Sequence, residues 1–387
     1  VVMKKVYIEG LALVETHFSG IGQYVLGILK GLDDLIGLEQ SNNKKTPIIK
    51  VVIPYDKVKK FKSFGFRHIG YKTMPLSLRY FAGLDHRGKL FPIDLWCGRG
   101  YYVFTRFAAM PLAFSKYTAV IYDLSFELYS QFSDESNAKF LSPRTKATIA
   151  SADTVFTISQ NAKKEIVDFY KVKNSSVIVA TPAADQKYMY RRSEEEIERA
   201  KQKYGIKGRY ILSLSNLEPR KNLDGLVDAY CALPSSITDD VSLLLVGVNG
   251  WKTEKLFQKI IGKVDEGKRI IRPSEYIDDL DKPAILSGAE MLVYPSHYEG
   301  FGMPPLEALA CGTPVVTANN SSLPEVVDKN TIQINSNDVA AITAAIIETM
   351  ENKNRRDTAI KSGPTQAEKF SWLDSAKKYY DVIMENV

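Results

Sequence analysis

Residues 294–327 read YPSHYEGFGMPPLEALACGTPVVTANNSSLPEVV, and the reading of this stretch decides the fold. The apolar run at 291–293 before it and Val315-Val316 inside it are short and continuous, as in buried parallel strands. Between them stand Gly300-Phe301-Gly302 and then Pro304-Pro305. Proline at the first helical position gives up no needed N–H, so Pro305 is expected to open a helix over 306–310. Cys311-Gly312 would be its stop. The unit is strand, glycine-rich turn, helix, strand. Its turn lies at the carboxyl end of a strand, where open α/β sheets bind ligands. The N–H groups of Phe301, Gly302 and Met303 fall at or near the helix N-terminus, which suits a phosphate or an oxygen-rich ligand. Glu299 and Glu307, eight positions apart, can accept hydrogen bonds from the hydroxyls of a sugar and a ribose.

A second stretch points the same way. The strand-like segment 210–215 runs into Asn216-Leu217-Glu218-Pro219-Arg220-Lys221-Asn222-Leu223. Two adjacent cations at a proline-shaped turn before a helix suit a diphosphate, because arginine offers a planar fork and lysine a point charge.

The whole chain sets the bounds. At 387 residues two domains are expected rather than one core. No apolar run approaches the roughly 18–20 residues of a membrane span, and the N-terminus carries no signal-peptide pattern. Three scattered cysteines, Cys97, Cys231 and Cys311, give neither a disulfide framework nor a metal spacing and point to a reducing cytoplasm. A formal charge of +6 fits anionic substrates or an anionic membrane surface, and no nucleic-acid motif is present.

Taken together, these motifs closely resemble those of the retaining glycosyltransferases of family 4. Glu299 and Glu307 fit that family's Glu-x7-Glu, and Glu218 to Asn222 fit its Glu-x-Arg-Lys-Asn. Ser321-Ser322-Leu323-Pro324-Glu325 fits a further segment, read as another helix N-terminus with capping residues. The resemblance implies the α/β GT-B fold, two Rossmann-like domains facing a central cleft. It places the acceptor-binding domain at 1–185 and the nucleotide-sugar domain at 190–370, with a C-terminal helix at 372–387 crossing back to the first domain. It gives Glu299 the donor sugar's hydroxyls, Glu307 the ribose, and Arg220 and Lys221 the diphosphate. Phe301, Gly302, Met303 and Leu306 form the helix start beside the donor, and Tyr276-Ile277 lie along the nucleobase.

The N-terminal half carries fewer signals. Phe18-Ser19-Gly20-Ile21-Gly22-Gln23-Tyr24 follows a first strand and opens an amphipathic helix. A third glycine is missing, so no nicotinamide fingerprint is present. The resemblance makes Gly20 and Gly22 a loop facing the donor phosphate. In Tyr122-Asp123-Leu124 the family's usual histidine is replaced by Tyr122, which donates a hydrogen bond but does not titrate near neutrality. Asp123 keeps the family aspartate, with a turn cap as its other reading. Residues 57–79 mix lysines with Phe61, Phe64 and Phe66, either a solvated helix and loop or an acceptor- or membrane-facing surface. Ser159 is placed as a helix N-cap, and Gly250-Trp251-Lys252 is expected to start a helix.

These readings converge on a metal-independent hexosyltransferase without a cofactor. It would move sugar from a UDP-hexose or GDP-mannose to a glycan or lipid-linked glycan in bacterial polysaccharide synthesis. The location implied is cytoplasmic, with peripheral contact at the inner membrane face. The alternatives are a sugar-nucleotide 2-epimerase of the same fold and a non-catalytic nucleotide-sugar-binding subunit.

Overall fold

A computed structural model describes residues 5–15, 19–132, 135–185, 187–275 and 277–387. The chain divides into two compact units, one formed by Val1–Pro182 with Ser371–Val387, the other by Ala183–Phe370.

Among the described residues the first unit holds seven strands: β1 (Lys5–Glu9), β2 (Ile48–Pro54), β3 (Gly70–Met74), β4 (Tyr101–Phe104), β5 (Lys116–Val120), β6 (Thr154–Thr157) and β7 (Val177–Val179). They form one parallel sheet in the order β3-β2-β1-β4-β5-β6-β7. The continuous apolar runs of the sequence are explained by this arrangement, since a parallel sheet is covered on both faces. Val6 and Ile8 on β1, Val51 to Ile53 on β2 and Tyr101 to Phe104 on β4 are all buried.

The second unit holds β8 (Arg209–Leu214), β9 (Val241–Val246), β10 (Ile270–Ile271), β11 (Met291–Tyr294), β12 (Val315–Ala318) and β13 (Ile332–Ile334). Their order is β10-β9-β8-β11-β12-β13, again parallel. The two runs that flank the Glu299–Glu307 stretch are neighbours, with Val293 opposite Val316. In each sheet the order reverses at one pair, β1/β4 in the first and β8/β11 in the second. Such switch points leave a crevice at the carboxyl ends of the strands.

Several local expectations shift. The central helix spans Met303–Ala310, two residues earlier than expected, because Gly302 takes φ +109° as its N-cap and the prolines fall inside the first turn. Gly312, at φ +68°, is its stop as expected. Gly20 and Gly22 are not a loop. They are the first turn of the helix Gly20–Ser41, capped by Ser19, whose hydroxyl accepts from the Gly22 N–H. Gly250-Trp251-Lys252 does not start a helix either: Lys252 is left-handed at φ +56°, and the helix is Glu254–Asp265. Ser159 does cap Gln160–Tyr170, accepting from Ala162. In the basic segment Phe61 is buried against Phe66 and Tyr71, so its aromatics pack locally on one another.

The last helix, Trp372–Asn386, belongs to the first unit and lies against Gly20–Ser41. Two glycines allow that approach. A Cβ on Gly27 would meet the Trp372 ring at 2.4 Å, and one on Gly31 would meet the Trp372 carbonyl oxygen at 2.8 Å. Tyr24 donates to the Ala180 carbonyl at 2.9 Å, and Phe156 stacks on Tyr379 at 3.8 Å, which ties the helix pair to the sheet. Because backbone cannot rotate out of the way as a side chain can, Gly31→Ala should destabilise the first unit by about 1–3 kcal/mol. Urea denaturation followed by tryptophan fluorescence checks this; an unchanged midpoint would show that the two helices are not packed this closely.

Candidate functional site

The strands β8 and β11 deliver the two motifs to the same edge of the second sheet. Pairing of Ile211 with Met291 and Leu212 with Leu292 fixes their register. After β8 the chain makes one 3-10 turn, Pro219–Lys221, and reverses at Asn222 in the left-handed region. Asparagine tolerates that conformation, and its side-chain amide is held by the Ser336 carbonyl at 2.6 Å. After β11 the chain runs through His297 and Tyr298 to Glu299. The His297 N–H donates to the Arg220 carbonyl at 2.8 Å, and Arg220 donates to the Tyr298 carbonyl at 2.9 Å. The two loops are therefore held together by one backbone bond and one bond from the Arg220 guanidinium.

Arg220, Lys221 and Glu299 form one buried cluster. Glu299 accepts from Lys221 Nζ at 2.6 Å through one oxygen and from Arg220 at 3.1 Å through the other. Glu218, buried like Glu299, accepts from Arg220 at 2.7 Å. Lys221 also donates to the Tyr294 hydroxyl at 3.1 Å. Burial alone would raise the Glu299 carboxyl. The adjoining Lys221 and Arg220 cations outweigh that and hold it at about 2, so it is ionised at neutral pH. Burial lowers the Lys221 ammonium from its ordinary value, against the pull of Glu299. Two cations face two carboxylates, so the cluster is neutral as it stands. An arriving diphosphate would be met by both cations.

The Glu299 backbone is held as firmly as its side chain. Its N–H donates to the Ser321 hydroxyl at 2.9 Å, and the Ser322 hydroxyl bonds the carbonyls of Glu299 and Phe301, each at 2.8 Å. These serines were expected to cap the helix Leu323–Val326. No side chain caps that helix, and they fasten the glycine-rich turn instead. At the turn's end the helix Met303–Ala310 has no side-chain cap. Pro304 and Pro305 carry no N–H, and the Leu306 N–H reaches only the Gly302 carbonyl at 3.4 Å. The N–H groups of Phe301, Gly302 and Met303, the donors expected from the sequence, precede these prolines. Gly302 cannot be replaced without strain, since a Cβ would meet Leu323 at 2.7 Å.

Glu307 is buried on the first turns of that helix and takes Lys282 Nζ at 2.8 Å. Lys282 was not singled out from the sequence. It stands 25 positions away at the start of Lys282–Ser287, where no local spacing connects it to Glu307. Glu218 and Tyr294 were inside quoted motifs but carried no role. Ile277 is buried in the second unit's core. Tyr276 lies outside the described residues.

The remaining candidates belong to the first unit. Asp123 accepts from the Ser125 N–H at 2.9 Å and the Ser125 hydroxyl at 2.7 Å, which is a turn cap. Tyr122 is buried edge-on to Tyr24 and Phe107, and its hydroxyl donates to the Thr105 carbonyl at 2.8 Å. Burial raises its pKa well above the ordinary value, so it is no acid or base near neutrality. Among the described residues no three His, Cys, Asp or Glu side chains cluster as a metal site would require. No helix among them is long and apolar enough to cross a membrane.

Comparison with known proteins fits this geometry. The profile of the family described as "Glycosyl transferases group 1" matches residues 194–366. The O-antigen chain mannosyltransferase B of Escherichia coli is 33% identical over 264 residues, 68% of each chain. The serotype-specific mannosyltransferase WbdA of Escherichia coli is 30% identical over 230 residues, 58% of this chain but only 28% of its own length. Among solved structures, Anabaena Alr3699/HepE in complex with UDP and glucose superposes with a TM-score of 0.73 at 16% identity, covering 98% of this chain and 99% of that one. WaaG, a glycosyltransferase involved in lipopolysaccharide biosynthesis, gives 0.68 at 16% identity, over 98% and 99%. At such identities the structural matches speak for the fold.

The ionised Glu299 has a pH signature. Its pKa in the folded protein, about 2, lies below the ordinary 4.5, so its contribution is full above about pH 4.5 and lost as pH falls through about 2. Glu299→Gln should therefore cost about 3 kcal/mol at pH 7, by leaving Lys221 buried with one charge fewer, and progressively less below pH 4. Urea denaturation at pH 7 and pH 3 checks it; a deficit equal at both would mean that the carboxylate charge is not what stabilises the cluster.

Proposed function

The chain belongs to the group 1 glycosyl transferases and is a hexosyltransferase of the GT-B fold; we propose that it transfers a hexosyl group, with retention, from a nucleotide-diphosphate sugar to a glycan or lipid-linked glycan during bacterial polysaccharide synthesis. The observation that carries this reading is the Arg220–Lys221–Glu299 cluster at the β8/β11 switch point. Arg220 and Lys221 bind the diphosphate and stabilise the charge that gathers on it as it leaves. Glu299, fixed through both its carboxylate and its backbone, orients the hydroxyls of the sugar. Glu307, steadied by Lys282, holds the ribose. The anomeric carbon–phosphate oxygen bond breaks, and the acceptor hydroxyl oxygen bonds the same face of that carbon. The acceptor proton passes to the departing phosphate oxygen, so no protein nucleophile is needed. Preorganised charge of this kind is worth about 10²–10³ in rate per group. Because the two cations supply it, the reading requires no metal.

The two Escherichia coli relatives are named mannosyltransferases, which supports mannose as the transferred sugar. The Anabaena structure holds UDP and glucose, which supports a UDP-hexose. The sequence relatives are twice as similar to this chain, so mannose leads. A cytoplasmic enzyme touching the membrane peripherally fits a lipid-linked acceptor. Exposed Leu95, Trp96 and Phe114, with Arg99 against the Phe114 ring, support that contact.

Calorimetric titration with GDP and with UDP, without added metal, tests the pocket. One nucleotide should bind at least tenfold more tightly, and Arg220→Ala with Lys221→Ala should abolish both binding and sugar transfer while circular dichroism is retained. Lys282→Met should weaken the same binding severalfold. Unchanged transfer in the Arg220/Lys221 double variant would overturn the assignment.

A further inference from the structure

Four loops leave the carboxyl ends of the adjacent strands β8, β11, β12 and β13, and one residue of the last loop bonds all three others. On the reading above that Arg220, Lys221 and Glu299 handle the donor, we propose that Ser336 is a positioning residue of that site. It fixes the cation loop and the Glu299 loop in one mutual placement, and turnover depends on it although it bonds none of the three itself.

Ser336 is buried in the turn between β13 and the helix Val339–Glu351. The turn is stiff. Asn335 accepts from the Asp338 N–H through its carbonyl and from the Asn337 N–H through its side chain, each at 3.0 Å, and Asp338 caps the helix. The Ser336 carbonyl takes the side-chain amide of Asn222, the residue directly after Lys221, at 2.6 Å. The Ser336 hydroxyl meets His297 Nδ1 at 3.2 Å and the Asn320 amide nitrogen at 3.3 Å. His297 continues to the cation loop, since its N–H donates to the Arg220 carbonyl. Asn320 continues to the carboxylate. Its side-chain oxygen accepts from the Ser321 hydroxyl at 3.0 Å, and that hydroxyl accepts from the Glu299 N–H at 2.9 Å.

The direction of each bond follows from its partners. The Asn320 amide nitrogen also faces the Ser296 carbonyl at 3.1 Å, and a carbonyl only accepts, so the amide cannot be turned round. Ser336 therefore accepts from Asn320, and among the described residues His297 Nδ1 is the acceptor left for its own proton. Burial lowers the His297 pKa from its ordinary value, which keeps the ring neutral at neutral pH, as an accepting Nδ1 requires. A methyl in place of the hydroxyl would break both bonds and spare the carbonyl that holds Asn222. The Arg220-Lys221 turn would stay, while the Glu299 loop would lose the tie that runs through Asn320 and Ser321. Nucleotide affinity rests on the two cations alone. Turnover needs cations and carboxylate placed together, and a misplacement of about 1 Å can cost about 10²-fold in rate.

Steady-state kinetics of nucleotide release on the full chain, with GDP-mannose and with UDP-glucose as donors and methyl α-mannoside as acceptor, tests the proposal. Ser336→Ala should lower kcat about tenfold, with donor KM and nucleotide affinity within about twofold of wild type. Its thermal unfolding midpoint should be unchanged. Ser336→Thr, which keeps the hydroxyl, should recover most of the rate. Ser321→Ala breaks the same chain of bonds at its other end, so the double variant should be no more than about twofold slower than the slower single variant. Four outcomes would overturn the role of Ser336: an unchanged kcat in Ser336→Ala, a fall in kcat matched by falls in nucleotide affinity and midpoint, no recovery in Ser336→Thr, or effects that multiply in the double variant. Any of these, with wild type active, leaves the transferase reading standing. No nucleotide release by wild type from either donor would sink the transferase reading, and the positioning role with it.

Discussion

Two carboxylates and two cations share one buried space behind the β8/β11 crevice, and the local architecture of the second unit serves to keep them there. An ion pair removed from water is stable only when geometry is good and spare donors and acceptors are met. Here Glu299 uses both oxygens, Arg220 reaches Glu218 and a backbone carbonyl as well, and Lys221 has Tyr294. The hydrogen bonds from His297 to Arg220 and from Arg220 to Tyr298 close the loops over the pairs. Such a site costs stability unless complete. That is consistent with a site in which charge is positioned in advance rather than gathered on demand.

Glycine, proline and serine shape the turn that presents Glu299. Gly302 supplies a backbone conformation that other residues adopt only with strain. The prolines strip two N–H groups from the first turn of the helix, so the ligand meets a narrower set of donors than an ordinary helix start would give. Ser321 and Ser322, from the far side of β12, bond the turn's own N–H and carbonyls. Glu299 is thus held from two distant sequence regions at once, Arg220-Lys221 and Ser321-Ser322.

The same topological rule places ligand-facing groups in both units. A parallel sheet leaves a crevice where its order reverses, and each unit places charged side chains there. In the second unit the cations equal the carboxylates, and an arriving diphosphate would be met by both cations. In the first, Arg106 pairs with Glu9 and Asp85, and Lys60 donates to the Glu15 carbonyl.

What the sequence determined by itself was local. The apolar runs, the glycine-rich turn, the proline-shaped cationic turn and the cap at Ser159 are written within a few residues of one another, and the strands around Glu299 lie where their composition put them. The pairing of the two motifs was legible only through their resemblance to a family. Tertiary structure decided which charges touch. Lys221 and Glu299 are 78 positions apart, Glu307 and Lys282 25, and neither distance has a periodicity to read. It also decided that Tyr122 bonds a backbone carbonyl, that Gly20 and Gly22 are helix, and that two serines fasten a turn rather than cap a helix. The physical reason is register. Hydrogen bonding of β8 to β11 sets which loop residues face each other, and that choice is made by the sheet as a whole, not by the residues that meet across it.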